Sequence, residues 1–247
     1  MREPLYDRIG VGYSSYRRPD VRIACRVEAA LGDALSVVNV GAGSGSYEPP
    51  RRKVTAVEPS AIMVSQRPRS AAPVVRATAE ALPFAAQSFD ASLAVLTLHH
   101  WPEWERGLRE MLRVSRRRVV IFTADPDHPG FWLTQEYFPE IALRDGPLLP
   151  QIPAIERVVG PLEVRSVPVP SDCSDGFLGA YWRRPEAYLD GGVRSAISSF
   201  ALLGDRARSG LRRLERDLAS GAWHSRHGSL LEMSELDLGY RLLVARL

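Results

Sequence analysis

The chain of 247 residues has two cysteines, Cys25 and Cys173, and a single lysine, Lys53. Two thiols are too few for a disulfide framework or a cysteine-ligated metal site, and no metal is expected. No G-x-x-x-x-G-K-[ST] segment occurs, which argues against a nucleotide triphosphatase loop of that type. No run of about 18 apolar residues exists, and charges and prolines are spread through the first residues, so neither a membrane span nor a signal peptide is expected. With so few cysteines, a reducing, cytoplasmic setting fits. Strong charge of one sign is missing too: 32 basic against 29 acidic residues leave +3. The arginine excess reads more readily as coding composition than as a nucleic-acid footprint, so no nucleic-acid partner is expected. Apolar residues, at 45%, are plentiful enough for a substantial core.

The most informative stretch runs Val37-Val38-Asn39-Val40-Gly41-Ala42-Gly43-Ser44-Gly45-Ser46-Tyr47-Glu48, followed by Val54-Thr55-Ala56-Val57-Glu58. An apolar strand enters a turn with three glycines, and a second strand ends on a carboxylate. Glycine reaches turn conformations that strain other residues and lets backbone approach a ligand closely. A carboxylate at the tip of the next strand can accept hydrogen bonds from ribose hydroxyls. Dinucleotide sites space their glycines G-x-G-x-x-G and seat a pyrophosphate on the N-terminus of a full helix. Here the spacing is G-x-G-x-G, and Pro49-Pro50 allows at most a short or irregular helix. A nucleoside without phosphates is the reading that survives.

Four ordered pieces carry a family resemblance. They are Val40-Gly41-Ala42-Gly43-Ser44-Gly45; Ala56-Val57-Glu58-Pro59-Ser60 with Met63; Ala79-Glu80-Ala81-Leu82-Pro83-Phe84 with Ser88-Phe89-Asp90; and Leu98-His99-His100-Trp101. In these the chain resembles the class I S-adenosylmethionine-dependent methyltransferases, within them the type 11 group related to quinone-biosynthesis methyltransferases. The likeness covers residues 5 to 125 well and the rest weakly. Two departures stand out: Asn39 where the family often has an acidic residue, and the truncated segment after the glycine turn.

Periodicity places a helix over 20 to 31, capped by Asp20 and stopped by Gly32. Strands are expected at 36 to 40, 54 to 58, 74 to 77, 91 to 98 and 118 to 124, with a helical stripe of Trp104, Leu108, Met111 and Leu112 between the last two. Strands at 162 to 167 and 240 to 245 would form the closing antiparallel pair that the resemblance implies. The expected fold is α/β: a doubly wound, mainly parallel seven-stranded sheet of the Rossmann-like methyltransferase type, with a helical insertion before the last strand. The divisions read as an N-terminal lid and first helix (1–35), a cofactor-binding core (36–170), a helical substrate lid (171–235) and a last strand (236–247).

The resemblance implies S-adenosyl-L-methionine as cofactor. Gly41, Ala42, Gly43 and Gly45 would pass under its amino acid part and ribose, and Glu58 would hold the ribose hydroxyls. Met63, beside Pro59, would pack on the adenine and Ala79-Glu80 would edge it, with Leu96 and Thr97 beside the site. For Glu80 the alternative is an acid at a helix start. The N-terminal stretch Tyr6 to Arg18 is expected to fold over the cofactor, Arg17 either gripping a carboxylate or belonging to a solvated basic arm.

His99 and His100 follow the fourth strand on its carboxyl side, where either could serve as general base or both could merely pack. Asp125 and His128 are second candidates. The sequence Thr97-Leu98-His99-His100 differs from the Asn or Asp followed by two prolines of nucleobase-amine methylation, which argues against a flipped base. Two cysteines are too few for arsenic methylation. The stretch Asp172 to Arg184 could face an aromatic or acidic ligand or serve as lid packing. Methyl transfer to a small molecule, such as a secondary metabolite, is the expected activity. The alternatives are a cofactor-binding subunit without turnover, or methylation of a peptide or protein side chain through an open groove. Oligomeric state is not legible.

Overall fold

The computed structural model describes residues 4–10 and 12–247. Its strands are β1 (Ser36–Val40), β2 (Lys53–Val57), β3 (Val74–Val75), β4 (Phe89–Val95), β5 (Ser115–Ala124), β6 (Leu162–Ser166), β7 (Val169–Pro170), β8 (Glu235–Leu236) and β9 (Tyr240–Arg246). Seven of them form one sheet in the order β3-β2-β1-β4-β5-β9-β6, and β7 pairs with β8 apart from it. All neighbours in the large sheet run parallel except β9, which lies antiparallel between β5 and β6. The doubly wound, mainly parallel seven-stranded sheet is the architecture expected from sequence.

Burial explains why the strands read as continuous apolar runs. Val37, Val38 and Val40 of β1 are inaccessible on both faces. One face packs against the helix Val21–Ala30 through Ile23, Val27 and Ala30, and the other against Trp104–Val114 and Ile152–Val159 through Leu108, Met111 and Ile155. The helix Val21–Ala30 starts where Asp20 accepts the Arg22 amide at 2.9 Å, and Gly32, at φ +56°, follows its end. The strand expected at 91–98 is displaced. It runs from Phe89 to Val95 because Leu96 turns to φ +49° and Leu98–His100 winds into a 3₁₀ turn.

The helical layer differs in extent from the expected 171–235 insertion. Its core joins Trp132, Leu133, Tyr137, Phe138 and Ile141 to Tyr188, Val193, Ile197, Phe200, Leu214 and Trp223, so residues before β6 supply one half. Pro129, Gly130, Pro139 and Gly146 break the helical period there. Leu133–Tyr137 is a π-turn, closed by Phe138 N donating to Leu133 O at 2.8 Å, and such a turn matches no 3.6-residue pattern. Residues 171–184, in turn, are turns packed on the sheet, and helix resumes only at Pro185.

Candidate functional site

At the carboxyl end of β1, where the order reverses between β1 and β4, Gly41 and Ala42 donate their amides to Val57 O at 2.9 and 3.0 Å. Gly41 sits at φ +69°, and a Cβ there would collide with the Thr97 side chain. No helix follows, as Pro49-Pro50 predicts; residues 41–47 are successive turns. Behind the loop, Arg67 donates to Gly43 O at 3.1 Å and pairs with Glu48 at 2.5 Å, and Glu48 also takes the Ala72 amide. This buried brace stands in for the missing helix. Nothing in local sequence marked Arg67, which belongs to no motif.

Glu58, just past β2, is almost fully buried. Its two oxygens accept the Gly43 amide at 2.8 Å and the Ser60 amide at 2.9 Å. Burial pushes its pKa up, and these two amides oppose the shift. Ser60 caps the short helix Ala61–Ser65 and bonds in turn to Asp7 of the N-terminal stretch at 2.5 Å. That contact brings the helix Tyr6–Ile9 to the head of the sheet.

These elements enclose a cavity of about 430 Å³. Its wall includes Arg17, Gly41, Ala42, Gly43, Glu58, Pro59, Met63, Ala79, Glu80, Leu96 and Thr97, together with Tyr6 and Tyr13 from the N-terminal stretch. Gly45 is the exception among the expected cofactor residues: at φ +98° it backs onto Ala71 and Arg67 and shapes the turn from outside. Glu80 lies in a turn where no helix begins, so its reading as a helix-start acid does not hold. Asn39, buried in β1 on the cavity wall, has neither side-chain polar atom partnered. A buried amide left unpaired is costly and points to a polar ligand that completes it. Orphaned amide, glycine turn and strand-tip carboxylate together suit a ligand that carries an amino acid part and a ribose.

A second cavity of about 210 Å³ adjoins the first, and Tyr6, Arg17 and Leu96 line both. Leu96, in the left-handed region, stands at the junction; a non-glycine residue held there is strained. Around the second cavity stand Phe131, Ile141, Phe177, Leu178, Ile197 and Tyr240, with polar groups from His99, Asp125, His128, Asp145, Ser198 and Ser199. The histidine pair is divided between the cavities. His99 lines the second, whereas His100 lines the first and shares a hydrogen bond with Tyr6 Oη at 3.2 Å. Burial, helped by Arg17 and Arg144 against the pull of Asp145, lowers His99 to about 4. Burial, then His99 and Arg17, lowers His100 further below the ordinary value. Both are neutral at neutral pH.

His128 accepts the Gly130 amide on Nδ1 at 3.1 Å. Arg17 lines both cavities, yet its guanidinium fork is engaged: Nε and Nη2 donate to Asp175 at 2.6 and 3.4 Å. It is therefore no solvated arm, and its Nε and Nη2 edge is taken by Asp175, which leaves Nη1 as the edge toward the cavities. The stretch 172–184 is mostly packing. Trp182 is buried and donates to Val169 O, and Arg184 bonds Cys173 O and Ala180 O, while Phe177 and Leu178 alone reach the second cavity. Among the described residues no cluster of metal-ligating side chains occurs, and no helix is long and apolar enough to cross a membrane.

The sequence model of a family described as a methyltransferase domain matches residues 38–123. A solved structure from Anabaena variabilis, named as a candidate methyltransferase from an antibiotic biosynthesis pathway, is 33% identical. It aligns over 94% of this chain and 99% of its own, with a TM-score of 0.86. A SAM-dependent methyltransferase from Thermotoga maritima, at 16% identity and TM-score 0.59 over 98% and 97% of the two chains, shares the fold. Among curated sequences, a 2-methyl-6-phytyl-1,4-hydroquinone methyltransferase of Oryza sativa subsp. japonica is 29% identical over 111 residues, 41% of this chain and 34% of that protein. The chain thus spans about a third of the length of that relative. The chain belongs to the class I S-adenosylmethionine-dependent methyltransferase family.

Proposed function

We propose that the protein transfers a methyl group from S-adenosylmethionine to an uncharged small molecule held in the second cavity. The observation that carries this reading is the pairing of the two cavities through Leu96, Tyr6 and Arg17. Bound in the larger one, S-adenosylmethionine supplies an electrophilic methyl group on a sulfonium and leaves as a neutral thioether. Asn39, Glu58 and the glycine turn bind it, Met63 flanks it, and Tyr6 and Tyr13 keep water from that side. His99, neutral and facing the second cavity, takes the proton of the acceptor hydroxyl or amine on a ring nitrogen. One positive charge is present before and after the transfer, so an imidazolium replaces the sulfonium.

Charge on the cavity wall supports the choice of acceptor. Arg17 is the one lysine or arginine on the second wall among the described residues, and Asp175 already occupies its fork. Asp125 and Asp145 add carboxylates to the same wall. Asp145 is paired with Arg144 and Asp125 lies 3.9 Å from Arg241, so the charges at this wall are already matched and an uncharged acceptor leaves them so, whereas an anionic one would have to compete with Asp175 for Arg17. The small volume, about 210 Å³, lined by residues from 131–149 and 177–199, suits a small molecule better than a peptide. The secondary-metabolite reading draws on the named role of the Anabaena relative.

The test is transfer of labelled methyl from S-adenosylmethionine to matched aromatic acceptors carrying either a hydroxyl or a carboxylate. Label is expected in hydroxyl-bearing compounds. Label confined to carboxylates, or appearing in a peptide library instead, contradicts the reading.

A further inference from the structure

Asp175 is completely buried and lies on neither cavity wall, yet two separate parts of the chain converge on its carboxylate. Arg17 donates to it from Nε at 2.6 Å and Nη2 at 3.4 Å, and Tyr47 Oη, from the glycine turn, donates at 2.9 Å. The backbones join as well: Arg17 and Asp175 form an isolated antiparallel bridge, and the Gly176 amide donates to Tyr16 O at 3.0 Å. From this knot a row of contacts leads into the cofactor cavity. The Arg17 guanidinium carbon stands 4.9 Å from the centre of the Tyr13 ring, Tyr13 meets Tyr6 edge to face at 5.4 Å, and Tyr6 bonds His100. On the other side, Phe177 and Leu178, two and three residues past Asp175, wall the acceptor cavity.

We propose that Asp175 is a positioning residue acting through Arg17. It holds the N-terminal stretch in place as the outer wall of the cofactor cavity and ties that wall to the segment bearing Phe177 and Leu178, so the two cavities take their working shape together. The inference rests on the reading of the larger cavity as the cofactor's. A buried ion pair suits such a task, because losing either partner leaves a charge stranded and the segments have no reason to stay docked. Hydrophobic packing alone would tolerate a looser fit, whereas the bidentate pair and the Tyr47 hydroxyl fix one arrangement.

The experiment is calorimetry of S-adenosylhomocysteine with the wild-type protein, Asp175→Asn, and the control Asp172→Asn, which alters an exposed carboxylate paired with Arg22. Hydrogen exchange is followed on the same samples. Asp175→Asn is expected to weaken binding at least tenfold and to speed exchange selectively at amides 6–10 and 13–16, with the sheet protected as before; Asp172→Asn changes neither. Equal affinity in Asp175→Asn and wild type overturns the positioning role, as does a uniform rise in exchange across the whole chain, which would mark a purely structural residue. Failure of the wild-type protein to bind would instead overturn the reading of the cavity itself.

Discussion

Glu58 Oε2 accepts the Gly43 amide at 2.8 Å, so the carboxylate at the tip of β2 also sets the shape of the glycine turn that leaves β1. Glu58 also lines the cavity. Glu58→Ala should therefore weaken S-adenosylmethionine binding by about 1–3 kcal/mol, the cost of a lost buried hydrogen-bonding partner, or roughly 5- to 150-fold in Kd. Titration calorimetry reads this directly. An unchanged Kd would remove Glu58 from the ribose role.

His99 and His100 should separate kinetically. With a responsive acceptor, His99→Ala is expected to lower kcat by about 10²–10⁴-fold, the usual worth of a general base. His100→Ala, on the cofactor side beside Tyr6, should chiefly raise the KM for S-adenosylmethionine. A His99 variant with kcat within threefold of wild type would make that ring a wall only.

Acid should destabilise the fold through His99. Its folded pKa of about 4 lies below the ordinary 6.5, so between these values the unfolded chain binds more protons than the folded one. The stability contributed by the neutral ring is full above about pH 6.5 and is lost as pH falls toward 4. Denaturant midpoints of wild type and His99→Asn, measured from pH 7.5 to 4.5, should converge as pH falls. A constant gap would contradict the shift.

Gly41→Ala adds a Cβ into the Thr97 side chain at a backbone angle of +69°. The expected result is a destabilised turn and weaker cofactor binding, with relief when Thr97→Ala is combined with it. Additive losses in the double variant would show that the contact is not the cause.

Much of the wall of the larger cavity was legible in sequence because its groups lie at or shortly after strand ends. Gly41, Glu58, Ala79 and Leu96 follow strands and Met63 sits in the short helix after β2, and the sheet order brings them to one cavity. Distance hid the rest. Arg17 and Asp175 are 158 residues apart, and neither carries a local sign of the other, so the pairing was visible under neither reading of Arg17, the ligand contact or the solvated arm. The brace of Arg67 and Glu48, and Ser199 against Asp145, are likewise tertiary contacts between residues that look ordinary in sequence. The lid boundary was missed because prolines, glycines and a π-turn erase the helical period over 129–146. Asn39 was visible only as a departure from the family's acidic residue, and its missing partners give that departure a physical meaning.

The central claim is that the cavity at the head of the sheet takes an adenosyl sulfonium and not a dinucleotide. Parallel calorimetry with S-adenosylmethionine, S-adenosylhomocysteine and nicotinamide adenine dinucleotide tests it most directly. The two adenosyl compounds should bind one per chain, with no heat from the dinucleotide beyond dilution. Saturable binding of the dinucleotide with no response to either adenosyl compound would contradict it.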